Sequence, residues 1–463
     1  MLFILPILFI ACTSWVDAQN FASLQVERHP SFSWDSCTST GGCSSQNGSL
    51  VLDQNWRWVH RAKDYTNCFV DGRWEAKNYQ NESICPDDDS CTSNCVIDGT
   101  DYRNMGVWPK NDSLTLKYSN RMDYTYSKSN RLYMMDAENQ FFELFELLNK
   151  EITFEIDVSK MPCGLSANLN FVSMPPDGGS SQFETNQAGA AFGTGYCDAS
   201  CPRNLRFVNG VANVANWTQI PDDNFGDQSF GLRGSCCPQV DIFNGNSIST
   251  SFGLHPCDSQ YQHECIGDSC GGIDSPISAV DKSSCDMDGC TFNPYRMGST
   301  DFYGRGAKGV DTSKPFKVVT QFVTRDGSNW SPLISINRLY IQNGTKIKNP
   351  VSKVDGILGD SITRDFCTNQ KAVFGDSNKF DKFGGLSKIT EVLMRGMVMV
   401  IGLEDDRRDG MLWLDGKLGE GKGAARGGCP SPAVPIMELI ENEGRLASMT
   451  ISKIRIGLIG STT

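Results

Sequence analysis

The sequence predicts an all-β protein, a sandwich of two antiparallel sheets with apolar inner faces and one sheet curved into a cleft. Three observations carry this. Several segments alternate apolar and polar residues with the period of a strand. Glycine and Asp/Asn clusters punctuate nearly every gap between them, and the intervening loops are long.

Taken in order, the chain opens on a secretory leader. Leu2 to Ala11 is an apolar run of leader length, and Val16-Asp17-Ala18 offers small residues for cleavage before Gln19. The run is too short to span a bilayer, and no later stretch approaches twenty apolar residues. Glu138 to Lys150 is ambiguous. Phe141, Leu144, Phe145 and Leu148 fall at helical spacing, so periodicity alone favours a helix there. From Glu151 to Ser159 the alternation is plain, with Phe154, Ile156 and Val158 on one face. Phe316, Val318, Thr320 and Phe322 repeat it. Met397 to Leu403 is an apolar run just after Gly396, and Met449 to Ile459 is a β-branched run ending at Gly460.

The chain carries 42 basic against 54 acidic residues, net −12, and loss of Asp17 with the leader makes it −11. Such an acidic chain without a Lys/Arg cluster argues against nucleic acid or an anionic membrane as partner and suits a neutral ligand. Six Asn-x-Ser/Thr sequons, at Asn47, Asn81, Asn111, Asn216, Asn329 and Asn343, fit a glycosylated surface. Of nineteen cysteines, Cys12 leaves with the leader, and the remaining even number suits disulfides in an oxidising compartment. Close pairs such as Cys37/Cys43, Cys85/Cys91 and Cys265/Cys270 read as loop staples. A four-thiolate zinc site from Cys197, Cys201, Cys236 and Cys237 is the rival reading, which secretion disfavours. Length alone suggests two or three domains. No linker, charge run or repeat breaks the chain, however, so a single domain from residue 19 to 463 is expected.

The stretch from Gly234 to Thr250 (GSCCPQVDIFNGNSIST) resembles the signature of glycoside hydrolase family 7, the cellobiohydrolase/endoglucanase family. In that signature a Cys-Cys pair precedes a strand bearing Glu-x-Asp-x-x-Glu, then Ala-Asn-Ser-Ile-Ser. Further matching segments are Asn55-Trp56-Arg57-Trp58, Met161 to Leu165, Phe171 to Met174, Gly193 to Asp198, Cys201-Pro202-Arg203 and His255-Pro256-Cys257. Asn293 to Arg296, Met411 to Asp415, Arg426-Gly427 and Ile459 to Thr462 complete the series. The resemblance covers essentially the whole mature chain. It implies a concanavalin-like β-jelly roll with a long, loop-roofed cleft. It also implies that residues 138–150 form a strand and a turn, and that no cellulose-binding module or cofactor is present.

The resemblance further implies nine bridges: Cys37–Cys43, Cys68–Cys95, Cys85–Cys91, Cys163–Cys429, Cys197–Cys237, Cys201–Cys236, Cys257–Cys285, Cys265–Cys270 and Cys290–Cys367. A tenth bridge of many relatives loses both partners together, at Ser23 and Val96. Trp56, Trp58 and Trp413 match sugar platforms, while Tyr196, Asp198, His255, Arg296 and Arg426 match cleft-lining positions. Aromatic faces with a few charged hydrogen-bonders are what a flat β-1,4-glucan needs. The loop Gly271 to Ser284 is as long as those that roof the cleft in the cellobiohydrolase branch.

The departures fall on the chemistry. Gln239 stands at the nucleophile position, Asp241 at the helper position and Asn244 at the acid/base position. A retaining glycosidase needs one carboxylate to attack and another to protonate the leaving oxygen, roughly 5–5.5 Å apart. An amide does neither. Asn170 replaces a Tyr beside the nucleophile, and Glu404 replaces a Trp platform. The expectation is a secreted, monomeric, cellobiohydrolase-like protein that binds β-1,4-glucan as a pseudoenzyme. Two alternatives stand beside it: an active retaining glucanase with displaced carboxylates such as Asp241 or Glu404, and a structural wall or matrix protein reusing the sandwich. Deamidation at Asn244-Gly245 is a further route to an acid, one methylene short. No metal is expected. Asp286-x-Asp288-Gly289 hints at calcium, but between Cys285 and Cys290 it reads as a tight turn.

Overall fold

A computed structural model of the chain describes residues 18–38, 42–122, 125–219, 229–272, 282–406, 410–430 and 446–463. The expected leader, apart from Ala18, lies outside the described residues, as does most of the loop Gly271 to Ser284.

In chain order the strands used below are β1 (Ser49–Leu52), β2 (Val107–Lys110), β3 (Ser113–Lys117), β4 (Asn130–Met135), β5 (Lys150–Asp157), β6 (Leu165–Val172) and β7 (Gln239–Gly245). There follow β8 (Thr250–His255), β9 (Cys290–Phe292), β10 (Phe316–Thr324), β11 (Leu333–Gln342), β12 (Thr345–Lys348), β13 (Met397–Asp405) and β14 (Ser448–Leu458). They form two antiparallel sheets. The inner, site-bearing sheet runs β9-β8-β7-β6-β13-β4-β1, and the outer sheet runs β12-β11-β10-β5-β14-β3-β2. The four strand segments read from alternation or apolar runs correspond to β5, β10, β13 and β14.

Period-2 alternation builds the core between the sheets. Leu50 and Leu52 of β1, Leu132 and Met134 of β4, Leu169 and Phe171 of β6, and Ile401 and Leu403 of β13 face inward. They meet Ile152, Phe154 and Ile156 of β5 with Phe316 and Val318 of β10 and Ile451 of β14. Each such buried side chain contributes roughly 1.5–3 kcal/mol. The alternate residues of the inner sheet point the other way, into the cleft. At one end a second apolar cluster, with Val51, Tyr133, Val172, Met174, Leu205 and Val400, seats the long loop between β6 and β7 on that face.

Residues 138–150 are not helical. Leu144 and Phe145 pair with Val398 and Met397 of β13, as the family resemblance implies and the periodicity does not. Asn139 (φ 59°) and Asn149 (φ 57°) adopt left-handed conformations at either end, incompatible with a continuous helix. The apolar stripe is accordingly split: Phe145 and Leu148 are buried, while Phe141 is exposed. Helices were not expected; the two longest among the described residues are α1 (Arg364–Phe374) and α2 (Gly385–Arg395). Thr363 caps α1 by accepting from Phe366 N, and Gly375 (φ 73°) ends it.

All nine implied disulfides are formed. The cysteines that suggested zinc are therefore consumed in Cys197–Cys237 and Cys201–Cys236. Cys163–Cys429 spans 266 residues; five of the other bridges lie inside it, and Cys197–Cys237, Cys257–Cys285 and Cys290–Cys367 act as successive shortcuts. These shortcuts reduce the effective loop to about half that length, and closing it still stabilises by about 4–5 kcal/mol on chain-entropy grounds. Replacing Cys163 and Cys429 together by Ser is expected to lower unfolding free energy by about that amount. Denaturant titration of both proteins without reductant checks this, and an unchanged midpoint would contradict it.

Candidate functional site

The site begins with a defect in a strand. β7 lies between β6 and β8, pairing Gln239, Val240 and Asp241 with Val172, Phe171 and Asn170. The register then slips: Phe243 meets Leu169 and Asn244 meets Asn168, leaving Ile242 without a partner residue on β6. This is a β-bulge. Because of it the consecutive residues Ile242 and Phe243 both enter the core. Asn244 thereby joins Gln239 and Asp241 on the cleft face, where strict alternation would send it to the opposite face. The bulged carbonyl of Ile242 accepts from Nη2 of Arg338 on β11 in the outer sheet. That guanidinium is buried, 4.1 Å from the Phe252 ring centroid, and desolvation lowers its pKa.

On the cleft face Asp241 gathers its neighbours. Gln239 Nε2 donates to Oδ1 (2.6 Å) and Asn244 Nδ2 to Oδ2 (2.7 Å). His255 Nε2 lies 3.1 Å from the same Oδ2, and its Nδ1 is 3.1 Å from the Asp286 backbone carbonyl. An ionised carboxylate only accepts, so both amides must turn their nitrogens toward it and their oxygens away. Gln239 Oε1 accepts from Ala199 N (3.3 Å), whereas Asn244 Oδ1 is buried without a partner. Burial alone would lower the pKa of His255. The Asp241 charge and hydrogen bond, helped by Asp286, outweigh it and raise the imidazole to about 9.

Two disulfides bring a loop against this cluster. Cys197–Cys237 and Cys201–Cys236 fasten residues 197–201 just ahead of Gln239. Asp198 there accepts from Tyr196 OH (2.7 Å), Ser200 N (2.7 Å) and Ser200 Oγ (2.6 Å). Cys257–Cys285 does the same beyond β8, presenting the Asp286 carbonyl to His255. Gly289 (φ 59°) closes that turn, and a Cβ there would lie 2.4 Å from His255 Nδ1. Asp286 itself is buried and ion-paired with Lys371 (3.8 Å).

The adjoining cleft, of about 800 Å³, is lined by Trp56, Arg131, Asn168, Asn170, Tyr196 and Glu404 among others. Arg131 lies 3.4 Å above the Tyr196 ring and 5.3 Å from that of Trp56, and its Nε donates to Asp53 (3.1 Å). Glu404 lies on β13 opposite Ser166, and its Oε1 accepts from Asn168 Nδ2. The surrounding walls push the Glu404 carboxyl up to about 7 by desolvation. Arg131 opposes this, and Asp198, Asp241 and Asp405 add to it. Since the residue is open to water along one side, the full shift belongs to a cleft from which water is excluded.

The anticipated residues thus fall into three groups. Trp56 and Tyr196 line the cleft. Gln239, Asp241, Asn244 and His255 form one bonded cluster, with Asp198 beside it. Arg296, Trp413 and Arg426 stand together elsewhere: Arg426 Nη1 donates to the Trp413 carbonyl (3.3 Å), and Arg296 pairs with Asp376 (2.9 Å). Burial and the Arg296 charge depress Arg426 to about 10. Asn293 and Asn246 tie this group to the β7–β8 turn, through the Arg426 and Leu414 carbonyls and through Asp415. Trp58 is exposed, bonded through Nε1 to Asn67 (2.6 Å), and is not among the residues lining the cleft. The sequence reading missed Arg131, Asn168 and Asp53, although Arg131 and Asn168 are the polar alternates of otherwise apolar strands.

A profile described as Glycosyl hydrolase family 7 matches residues 21–463. Among solved structures, a family 7 cellobiohydrolase from Daphnia pulex superposes with a TM-score of 0.91 at 36% identity, covering 96% of this chain and 100% of that one. A cellobiohydrolase from Melanocarpus albomyces complexed with cellotetraose gives 0.87 at 35% identity, with 96% and 100% covered. The Humicola insolens endocellulase gives 0.77 at 30% identity, with 94% and 98% covered.

Two outcomes follow from the cluster. A group whose folded pKa lies above its unfolded value stabilises fully below the unfolded value, near 6.5 for His, and loses that contribution as pH rises through the folded one. The His255 imidazole is therefore expected to stay protonated at neutral pH and titrate near 9 in NMR spectra. Asp241→Asn should return it to or below the ordinary histidine range. Asn244 is held in a paired strand with its amide on Asp241, whereas succinimide formation requires Gly245 N to swing onto that side chain. Peptide mapping of the protein made without glycosylation, after prolonged native incubation, should find Asn244 intact while the exposed Asn343-Gly344 turn deamidates.

Proposed function

Because the chain belongs to glycosyl hydrolase family 7, we propose that it is a secreted pseudoenzyme that holds a β-1,4-glucan chain in its cleft without efficient cleavage. The observation that carries this is the orientation of the two amides. Gln239 and Asn244 both spend their nitrogens on Asp241, at 2.6 and 2.7 Å, and neither offers a nucleophilic oxyanion or a transferable proton. The loss of such groups costs on the order of 10⁴–10⁶ in rate.

Glucan affinity rests on groups away from the bond to be cut. Trp56 offers a ring face, and Arg131 and the cleft amides offer hydrogen bonds. Relatives of this fold have been solved with cellotetraose and with cellobiose bound. Nine disulfides suit an oxidising, extracellular setting.

One observation favours the displaced-carboxylate reading: Glu404 is pushed toward neutrality, as a general acid needs. Its counterpart is not free: Asp241 has Oδ1 engaged by Gln239 and Oδ2 by both Asn244 and His255, so it does not stand ready to attack or to activate water.

The test is product release from a reporter cello-oligosaccharide by the natural chain, by Gln239→Glu/Asn244→Glu and by Glu404→Gln. The natural chain should remain at background, and the double variant should rise by on the order of 10² or more. Full recovery is not expected, since Asn170 and Glu404 are left unchanged. Cleavage by the natural chain at ordinary glucanase rates overturns the reading, and its loss in Glu404→Gln would identify the displaced acid.

A further inference from the structure

The free hydrogen-bonding capacity at the centre of the cleft is strongly one-sided. Asp241 draws the amide nitrogens of Gln239 and Asn244 onto itself, so Asn244 turns its oxygen away from that carboxylate, and its Oδ1 is buried without a partner among the described residues. Across the β6–β7 pairing, Asn170 Oδ1 is likewise buried and unpartnered, on a residue that lines the cleft. On β13, the strand that pairs with that of Asn170, Glu404 uses one carboxylate oxygen to accept from Asn168, and the other has no bonded partner among the described residues. These groups are all acceptors.

The charge leans to the acid side as well. Around Glu404 lie Asp198 from the loop, Asp405 from β13 and Asp241 from β7, the last matched by the His255 imidazolium. Among the described residues Arg131 of β4 and Arg206 also line the cleft, and Arg206 is held on the Arg57 carbonyl and the Phe69 ring. Arg131 is already committed, to Asp53 and to the Tyr196 ring. A neutral sugar covering Glu404 would strip water from a carboxylate and return no charge, so the carboxylate would have to take up a proton. A protonated amine instead brings one positive charge and three donors, and charge-assisted hydrogen bonds are roughly twice as strong as neutral ones.

We infer that the centre of this cleft is a subsite for a protonated amino sugar, and that the protein prefers a β-1,4-linked glycan carrying free amines to neutral glucan. The inference rests on the reading of the cleft as a glycan-binding site and narrows its ligand. Trp56 offers a ring face, which suits glucan and amino-glucan alike. Glu404 makes the distinction between them.

The experiment is calorimetric titration of the full-length secreted protein with a fully deacetylated glucosamine hexamer and, separately, with cellohexaose. It is run at about pH 6, where the amines are largely protonated, and about 0.15 M salt, which screens the general acidity of the surface. The natural chain is expected to bind the glucosamine hexamer at least about tenfold more tightly. Glu404→Gln should abolish that preference, with an unchanged thermal unfolding midpoint reporting an intact fold. Glu404→Asp, which keeps the charge, should retain part of the preference. Equal affinity of the natural chain for both oligosaccharides overturns the inference and leaves the glucan reading standing. A preference that survives in Glu404→Gln overturns it too, since it then belongs to overall charge. Binding of neither hexamer removes both the inference and the glucan-binding reading beneath it.

Discussion

Asp241 can only accept hydrogen bonds, and the organisation of the site follows from meeting that demand. Gln239, Asn244 and His255 converge on its two oxygens as donors, the last carrying a positive charge. Carboxylates at 239 and 244 would instead crowd three acids together, and at least one would have to hold a proton. The amides avoid that repulsion and have their nitrogens fixed. Catalytic sites often hold like charges at a cost in stability, whereas this cluster surrounds its one carboxylate with donors.

The sheet supplies the platform, and the disulfides set the loops upon it. Tyr196, Asp198 and Ala199 reach the cluster because two bridges anchor their loop within two residues of Gln239. His255 is oriented from behind by a carbonyl that a third bridge holds in place. The Arg296–Arg426 group is fixed in part by the longest bridge and in part by buried amides at the β7–β8 turn. Loops over an open sheet face bury little apolar surface of their own, so covalent ties replace the missing core.

Much of this was legible from the residues. Alternation in β5 and β10 and apolar runs in β13 and β14 gave the sandwich, since a strand buried on one face must alternate. The family resemblance supplied what periodicity cannot, namely the cysteine pairing and the strand at Leu144–Phe145. Helices α1 and α2 went unread, although Thr363 before α1 and Gly375 after it are ordinary stop and start signals. The roles of Arg131 and Asn168 were hidden for a different reason. Their meaning depends on which strands become neighbours, and β4, β6 and β13 are far apart in the chain. The bulge at Ile242 was invisible too, because a strand's sequence does not announce where its register slips.

The bond from Arg338 to the Ile242 carbonyl has a mechanical meaning. It joins the two sheets across the core, so the arrangement on the cleft face is maintained from the far side of the sandwich. If the sheets sheared far enough to withdraw that guanidinium, the extra residue would be free to anneal into the ladder, and everything beyond it would turn over by one position. Asn244 would then rotate toward the hydrocarbon interior and Phe243 toward the groove. The binding face therefore behaves as a ratchet tooth held by a pawl in the opposite layer, and substitutions in β11 that never approach a ligand belong to the same functional unit as the residues that do.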